Sequence, residues 1–370
     1  MSAIDITPVL KFMTDKNGSD LFFSTGASIH IEIEGETLAV NNQPMSPGMI
    51  KEIAYSLMTE AQKTEFEQNL ELNFAISRKD IGRFRINVFK QRGEVGMVIR
   101  HIKTVIPSFE TLGLPSILKD LVLRKRGILL VVGATSSGKS TALASMIDYR
   151  NETTTGHIVT IEDPIEFVHP HKKSIVDQRE VGIDTHSFDN ALKNAMRQAP
   201  DVILIGEIRD MESMKQAMAY AETGHLCLAT LHANNANQTL ERIISFFPHE
   251  ARAGLLLSMS LNIVGIVAQR LVPGIQTKRV AAVEVMINTA YVGDLIQKQK
   301  IGEIKDVMAD NNDIGMSTFD QALFRLYSNG KIDEDNALAN ADSRNDLSLK
   351  IRFAAEGSKN SGGGFAPIKF

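Results

Sequence analysis

The apolar positions of the chain follow two rhythms. In the first hundred residues Ile29, Ile31 and Ile33 alternate with His30, Glu32 and Glu34, the period of a half-buried strand, and Gly35 begins a turn. Ile50, Ile53, Ala54 and Leu57 recur at helical spacing behind Ser46-Pro47, which reads as an N-cap followed by proline at the first helical position. Thr59 and Gln62 predict a capping box on a second helix. Phe84, Ile86 and Val88 then alternate with Arg83, Arg85 and Asn87, and a turn at Gly93 leads to a second run, Val95–Arg100. This is a hairpin with Arg83 and Arg85 on the face opposite the apolar one, ordinarily a solvated face. A small α+β domain is expected over residues 1–107.

Pro107 marks the boundary, and Gly113 and Pro115 punctuate a linker, residues 108–127, that contains an amphipathic helix around Ile117–Leu123. Beyond it the rhythm changes. Continuous apolar runs, Ile128–Val132, Ile158–Ile161, Val202–Ile205 and Leu226–Leu231, are separated by helical segments. Runs without alternation belong in a sheet covered on both faces, so an α/β core is expected over 128–289. The longest uncharged stretch, Ala253–Gln269, reads as a buried helix. It is too short, and too interrupted by Ser258, Ser260 and Asn262, to span a membrane. Helices are expected over 290–355, and 356–370, with three consecutive glycines, reads as a flexible tail.

Composition adds limits rather than chemistry. The 370 residues allow two domains, and 43% hydrophobic with 23% charged residues is ordinary for a globular protein. With 40 basic against 44 acidic side chains the net charge is -4, which counts against nucleic-acid binding through bulk positive charge. The single cysteine, Cys227, excludes an internal disulfide and a four-cysteine zinc module, suits a reducing compartment, and reads as a small core residue. Met1–Phe12 contains Asp5 and Lys11 and shows no export signal.

One motif carries strong chemistry. Gly133-Ala134-Thr135-Ser136-Ser137-Gly138-Lys139-Ser140, followed by Thr141, matches the P-loop at every required position, between the apolar run Ile128–Val132 and a helix-compatible segment. Glycines let the backbone wrap an anion, and amides at a helix start point into the loop. Lys139 then reaches the β- and γ-phosphates, and Ser140 ligates Mg²⁺.

Hydrolysis needs carboxylates as well. Glu162, in Thr160–Glu166, and Glu207, in Asp201–Arg209, follow two of the apolar runs, where ligand groups of open α/β sheets gather. Glu207 is the Walker B candidate that supports Mg²⁺ through water, and Glu162 the candidate for activating the attacking water; solvated caps are the alternative for each. His225 and His232 bracket the fourth run and either sense the γ-phosphate or are simply hydrogen-bonded at strand ends. His169-Pro170-His171 and His249-Glu250 lack the partners a metal site needs.

The four segments GATSSGKST, TIEDPIEF, VILIGEIRD and TGHLCLATLHAN, in that order, resemble the secretion ATPases of type II secretion and type IV pili, specifically the PilT/PilU retraction branch. The resemblance covers about residues 5–350. It implies an N-terminal PAS-like domain, a RecA-like P-loop ATPase domain with a helical C-terminal part, and ATP with Mg²⁺ as the working ligands. It further implies a cytoplasmic homo-hexamer at the base of the pilus machine, driving retraction and hence twitching motility, peripheral to the inner membrane through a PilC-like platform protein. By position, Gly133–Thr141 is Walker A, Glu162–Glu166 the aspartate box, Asp201–Glu207 Walker B, and His225 and His232 the histidine box. In this family arginines of the N-terminal domain reach the nucleotide, which gives Arg83, Arg85 and Arg100 a role worth about 10³–10⁵ in rate.

Assembly ATPases of the superfamily carry a further N-terminal domain and a four-cysteine zinc insertion, which this chain lacks. Tyr291–Lys298 keeps little of the AIRNLIRE helix typical of PilT, and Ser19–Gly26 departs from its usual SDLHLS. Both departures, with the glycine-rich tail, point to a PilU-like accessory motor that works beside a PilT-like ATPase. The rival readings are the main retraction motor itself, a non-catalytic scaffold controlled by nucleotide, and a RecA-like nucleic-acid translocase, which the balanced charge disfavours.

Overall fold

The computed structural model describes residues 5–360, and the two rhythms of the sequence become two sheets. The first compact unit holds the chain through Val105 together with Pro164–Val168 and Glu180–His186. Its strands are β1 (Asp20–Phe23), β2 (His30–Ile33), β3 (Glu36–Ala39), β4 (Glu71–Arg78), β5 (Gly82–Gln91) and β6 (Glu94–Ile102). They form an antiparallel sheet in the order β3-β2-β1-β6-β5-β4. Phe84, Ile86 and Val88 are fully buried and join Leu21, Ile31, Ile50, Ile53 and Phe66 in one core. Thr59 and Gln62 form the reciprocal capping box of helix Glu60–Asn69.

Ser46-Pro47 does not cap the preceding helix as expected. That helix runs Met49–Leu57 and starts from Gly48, which has a left-handed backbone and donates its N–H to Glu94 at 3.0 Å. Ser46 contributes only a carbonyl to the turn before it.

The second unit comprises Ile106–Asp163, His169–Arg179 and the chain from Ser187 onward. It contains β7 (Gly127–Val132), β8 (Gly156–Glu162), β9 (Ser174–Glu180, whose last residue falls in the first unit), β10 (Val202–Ile205), β11 (Leu226–Leu231), β12 (Ile263–Pro273) and β13 (Arg279–Ile287). The sheet order is β13-β12-β7-β11-β10-β8-β9. From β12 to β8 every neighbour pair is parallel, and β13 closes antiparallel onto β12. All residues of β7 and β11 are buried, as runs covered on both faces must be.

The stretch Ala253–Gln269 is not one helix. Helix Arg252–Asn262 ends at Asn262, and Ile263–Gln269 begins β12, hydrogen-bonded to β7. The change falls where β-branched residues crowd together (Ile263, Val264, Ile266 and Val267), side chains that fit a pleated strand better than a helix turn. Helices Ala290–Gln297, Ile304–Asp310, Phe319–Ser328, Glu334–Ala339 and Arg344–Asn360 follow β13. The last of these continues into the stretch expected as a flexible tail; residues 361–370 of that stretch, and residues 1–4, lie outside the described residues. Among the described residues no helix is long and apolar enough to cross a membrane.

Candidate active site

Strand register builds the site. Leu231 of β11 lies beside Val132 of β7, and Ile205 of β10 lies between Ala229 of β11 and Ile161 of β8. Because these strands run parallel, whatever follows each one emerges at the same edge. Those residues are the P-loop after β7, His232 after β11, Glu207 after β10, and Glu162 at the end of β8.

The loop itself is shaped by glycines at two places. Gly138 is left-handed and starts helix Lys139–Thr153, while Gly133 opens the loop with a positive φ of 153°. A Cβ at Gly138 would meet the Gln269 side-chain amide at 2.7 Å, and one at Gly133 the Gln269 carbonyl at 2.5 Å. The loop therefore lies directly on β12. Ala134, Thr135, Ser136 and Ser140 are exposed, Gly138 and Thr141 half-buried, and Ser137 buried, its hydroxyl without a partner among the described residues.

Lys139 is almost buried and donates Nζ–H to the carbonyls of Gly133 and Ala134, at 2.9 and 2.8 Å. Burial pulls its ammonium below the usual lysine range, with the Glu207 carboxylate pulling the other way. An ammonium stripped of water and held only by neutral carbonyls is ready for an anion.

Glu207 sits between two cationic or potentially cationic groups. Arg209 donates Nε–H to Oε2 at 2.7 Å, and Nε2 of His232 lies 3.3 Å from Oε1. The Glu207 carboxylate holds the Arg209 guanidinium above its ordinary range, and Asp163 is 3.8 Å from its other end. Glu162 accepts from Thr160 Oγ1 at 2.7 Å and from Gln178 Nε2 at 3.2 Å, which fixes its carboxylate at the end of β8. Beside the loop, a cavity of about 460 Å³ is lined by Gly133, Ala134, His232 and one side of helix Ala236–Ser245.

Not every expected residue arrives here. His225 precedes β11, and its carbonyl accepts the N–H of Gly127, where β7 begins. Its ring is bonded to Thr223 Oγ1 and the Tyr220 carbonyl at 3.1 and 3.2 Å. A strand of this length is roughly 20 Å long, so His225 and the P-loop stand at opposite edges of the sheet.

Arg83, Arg85 and Arg100 belong to the first unit. Arg85 and Arg100 are cross-strand partners, and Arg83 shares their face. That face is not simply solvated. Arg83 Nε is buried and, among the described residues, has no hydrogen-bond partner, and Arg100 donates to the buried Asp20 at 2.8 Å. The buried Glu180 carboxyl, raised by its burial, feels both Arg85 and Arg83.

Sequence reasoning gave no role to Gln269 beneath the loop, to Arg209 against Glu207, or to Gln178 against Glu162. Gln269 was hidden because its strand reads as the end of a helix. Arg209 lies inside a motif that was read, two residues after Glu207, and its spacing was the available signal. Cys227 is fully buried in β11, where burial pushes its thiol up.

The family model for type II/IV secretion system proteins matches residues 2–309. The type IV pilus ATPase PilU of Pseudomonas aeruginosa is 52% identical, over 95% of this chain and 93% of its own length. The type IV pilus retraction ATPase PilT of the same organism is 39% identical, over 90% of this chain and 97% of its own. The crystal structure of the pilus retraction motor PilT with bound ADP aligns with a TM-score of 0.87 at 40% identity, covering 94% of this chain and 99% of that one. With a P-loop, two acidic strand ends and a histidine on one sheet edge, and with these matches over most of its length, the chain belongs to the type II/IV secretion system protein family and, within it, to the PilT/PilU type IV pilus ATPases.

Proposed function

We propose that this ATPase hydrolyses Mg-ATP to power or assist type IV pilus retraction, as a PilU-like accessory motor. It works as a homo-hexamer on the cytoplasmic side of the inner membrane, beside a PilT-like ATPase and against a PilC-like platform protein. In this reading the second unit is the RecA-like engine and the first the PAS-like domain, with the boundary near residue 107. The observation that carries it is the shared sheet edge where Lys139, Glu162, Glu207 and His232 emerge. The higher identity to PilU than to PilT supports the accessory role.

The residues present fit Mg²⁺. Among the described residues no group of three His, Cys, Asp or Glu side chains is arranged to cage a metal. The exposed Ser140 hydroxyl and the Glu207 carboxylate instead suit an ion that takes most of its ligands from phosphate and water. When bound, Mg²⁺ neutralises charge on the phosphates.

The chain's own residues do the rest. Lys139 exchanges its two loop carbonyls for phosphate oxygens, and the loop amides close on the same anion. Glu162, oriented by Thr160 and Gln178, accepts a proton from the attacking water. Glu207 relays the phosphate state to His232 and Arg209, which already share its two oxygens. Arg83, Arg85 and Arg100 supply the cations that meet charge developing on the transferred phosphate, and His225 belongs to the coupling rather than to the chemistry.

The test is Lys139→Ala. ATP turnover should fall on the order of 10²-fold or more, with nucleotide-dependent thermal stabilisation lost. Turnover at the parental rate would end this reading. A strain keeping this ATPase and no other retraction ATPase should retract weakly; retraction at full strength would favour the main-motor role.

A further inference from the structure

The second unit carries a larger groove, about 890 Å³, at the sheet edge away from the P-loop. One wall is the turn between helix Ile117–Val122 and β7, bearing Arg124, Lys125 and Arg126 in succession. All three are exposed, and among the described residues none is paired with a carboxylate. The turn is braced from inside: the buried Arg150 donates to the carbonyls of Val122 and Arg124, at 2.6 and 3.0 Å. Three unneutralised cations are thus held on a fixed stretch of backbone.

The facing wall is the end of helix Arg252–Asn262 and the start of helix Ala290–Gln297. It carries one strongly exposed apolar side chain. Leu261 in this wall is 74% exposed, and Leu257, one turn earlier on the helix and outside the groove lining, 45%. Asn288 between the walls donates its amide to the carbonyls of Ser260 and Ile263, both at 2.8 Å, and so ties the two helices' ends together. The one acid lining the groove, Asp294, is taken by Lys298 at 2.7 Å.

We infer that this groove docks an acidic segment of a partner protein that carries at least one apolar side chain. The cations select negative charge, and the exposed Leu261 takes the apolar residue. The volume lies inside the roughly 300–1,000 Å³ of ordinary binding pockets. Its concavity suits a peptide segment better than a flat lipid surface. The groove contains none of the residues assigned to ATP hydrolysis, so failure here leaves the ATPase reading intact, and the reverse.

The experiment uses the full-length protein and a fluorescein-labelled peptide of Glu-Glu-Leu repeats, with a Gln-Gln-Leu repeat as its neutral counterpart. The acidic peptide should bind with a marked salt dependence, and the neutral one far more weakly. Reversing the wall charges (Arg124→Glu, Lys125→Glu, Arg126→Glu) should weaken binding tenfold or more at unchanged ATP turnover. Leu261→Ser should weaken it several-fold, and substituting the three cations by Gln keeps the test decisive if reversal unfolds the protein. Equal binding of both peptides, or unchanged affinity in the triple variants, overturns the proposal. So does binding only to phosphatidylglycerol vesicles, or a triple variant whose main change is a smaller assembly mass, which would assign the groove to a membrane or to a second copy of the chain.

Discussion

His225 and His232 bracket the same strand, β11, and end in opposite surroundings. His232 follows the strand and meets a carboxylate, 3.3 Å from Glu207, beside the P-loop. His225 precedes it and meets a hydroxyl and a backbone carbonyl at the far edge. Residue type and motif treat the two alike; strand direction separates them. A parallel sheet has a working edge and a bracing edge, and a side chain's chemistry depends on which end of its strand it occupies. The same contrast holds for the cations. Lys139 at the working edge is buried against two loop carbonyls, while Arg124–Arg126 at the other edge are exposed and, among the described residues, paired with no carboxylate.

The contrast would break most visibly at the working-edge carboxylates. Glu162→Gln keeps shape and removes the proposed proton acceptor, so turnover should drop about 10²–10⁴-fold with the KM for ATP little changed. Glu207→Gln should lower turnover on the order of 10²-fold and raise the Mg²⁺ concentration needed for half-maximal rate. Steady-state kinetics against ATP and Mg²⁺ check both. Near-parental rates in either variant would remove that carboxylate from the site.

Two buried titratable groups extend the contrast to stability. Glu284 lies behind the working edge, where its two oxygens accept the N–H of Ala236, at the start of the helix after His232, and of Phe319, at 2.8 and 3.3 Å. Burial pushes its carboxyl up to about 7 from 4.5, and Asp342 adds to the rise. Between those pH values the native state holds a proton that the unfolded chain has released, so stability falls as pH rises through the window, by about 3 kcal/mol in all. His169 has the opposite sign. Burial lowers it to about 4 from 6.5, so the unfolded chain takes up a proton the native state refuses, and stability rises with pH across that interval by a similar amount, about 3 kcal/mol. Near pH 4.5–6.5 the two slopes oppose each other. Glu284→Gln should expose the rising slope and His169→Gln the falling one, in urea unfolding at pH 5 and 6.5. Parallel profiles for parent and variants would show that these groups do not titrate with folding.

Much of this was legible in the sequence. The strands beside the P-loop are continuous apolar runs, and such runs bounded by turn residues leave little choice of structure. The P-loop and both acidic strand ends follow from them, because a parallel sheet gathers its strand ends. What was not legible depends on partners distant in sequence. The apolar run Ile263–Gln269 shows no period and reads in the sequence as a continuation of the helix before it, and only pairing with β7 makes it a strand. Gln269 went unseen with it. Arg83 and Arg85 alternate correctly, yet alternation is silent about what covers a face, and the Glu180 segment that does so is nearly a hundred residues on. A linear motif sets the two histidines side by side, while the edge each occupies is set by register.

The smallest effect is the most direct test of the two edges. His232→Ala removes the ring 3.3 Å from Glu207 and leaves that carboxylate to Arg209 alone. Its charge is still balanced, but its position is less constrained. The rate constant should fall about tenfold and KM should move little, the pattern of a group that matters in the transition state more than in binding. His225→Ala removes a bond to Thr223 at the other edge, costs about 1 kcal/mol of stability, and leaves turnover of the isolated protein within about twofold. Any retraction defect in that variant would then arise in coupling. Equal losses of turnover in both variants would mean that both edges meet nucleotide, and that strand direction within one chain does not decide which histidine works.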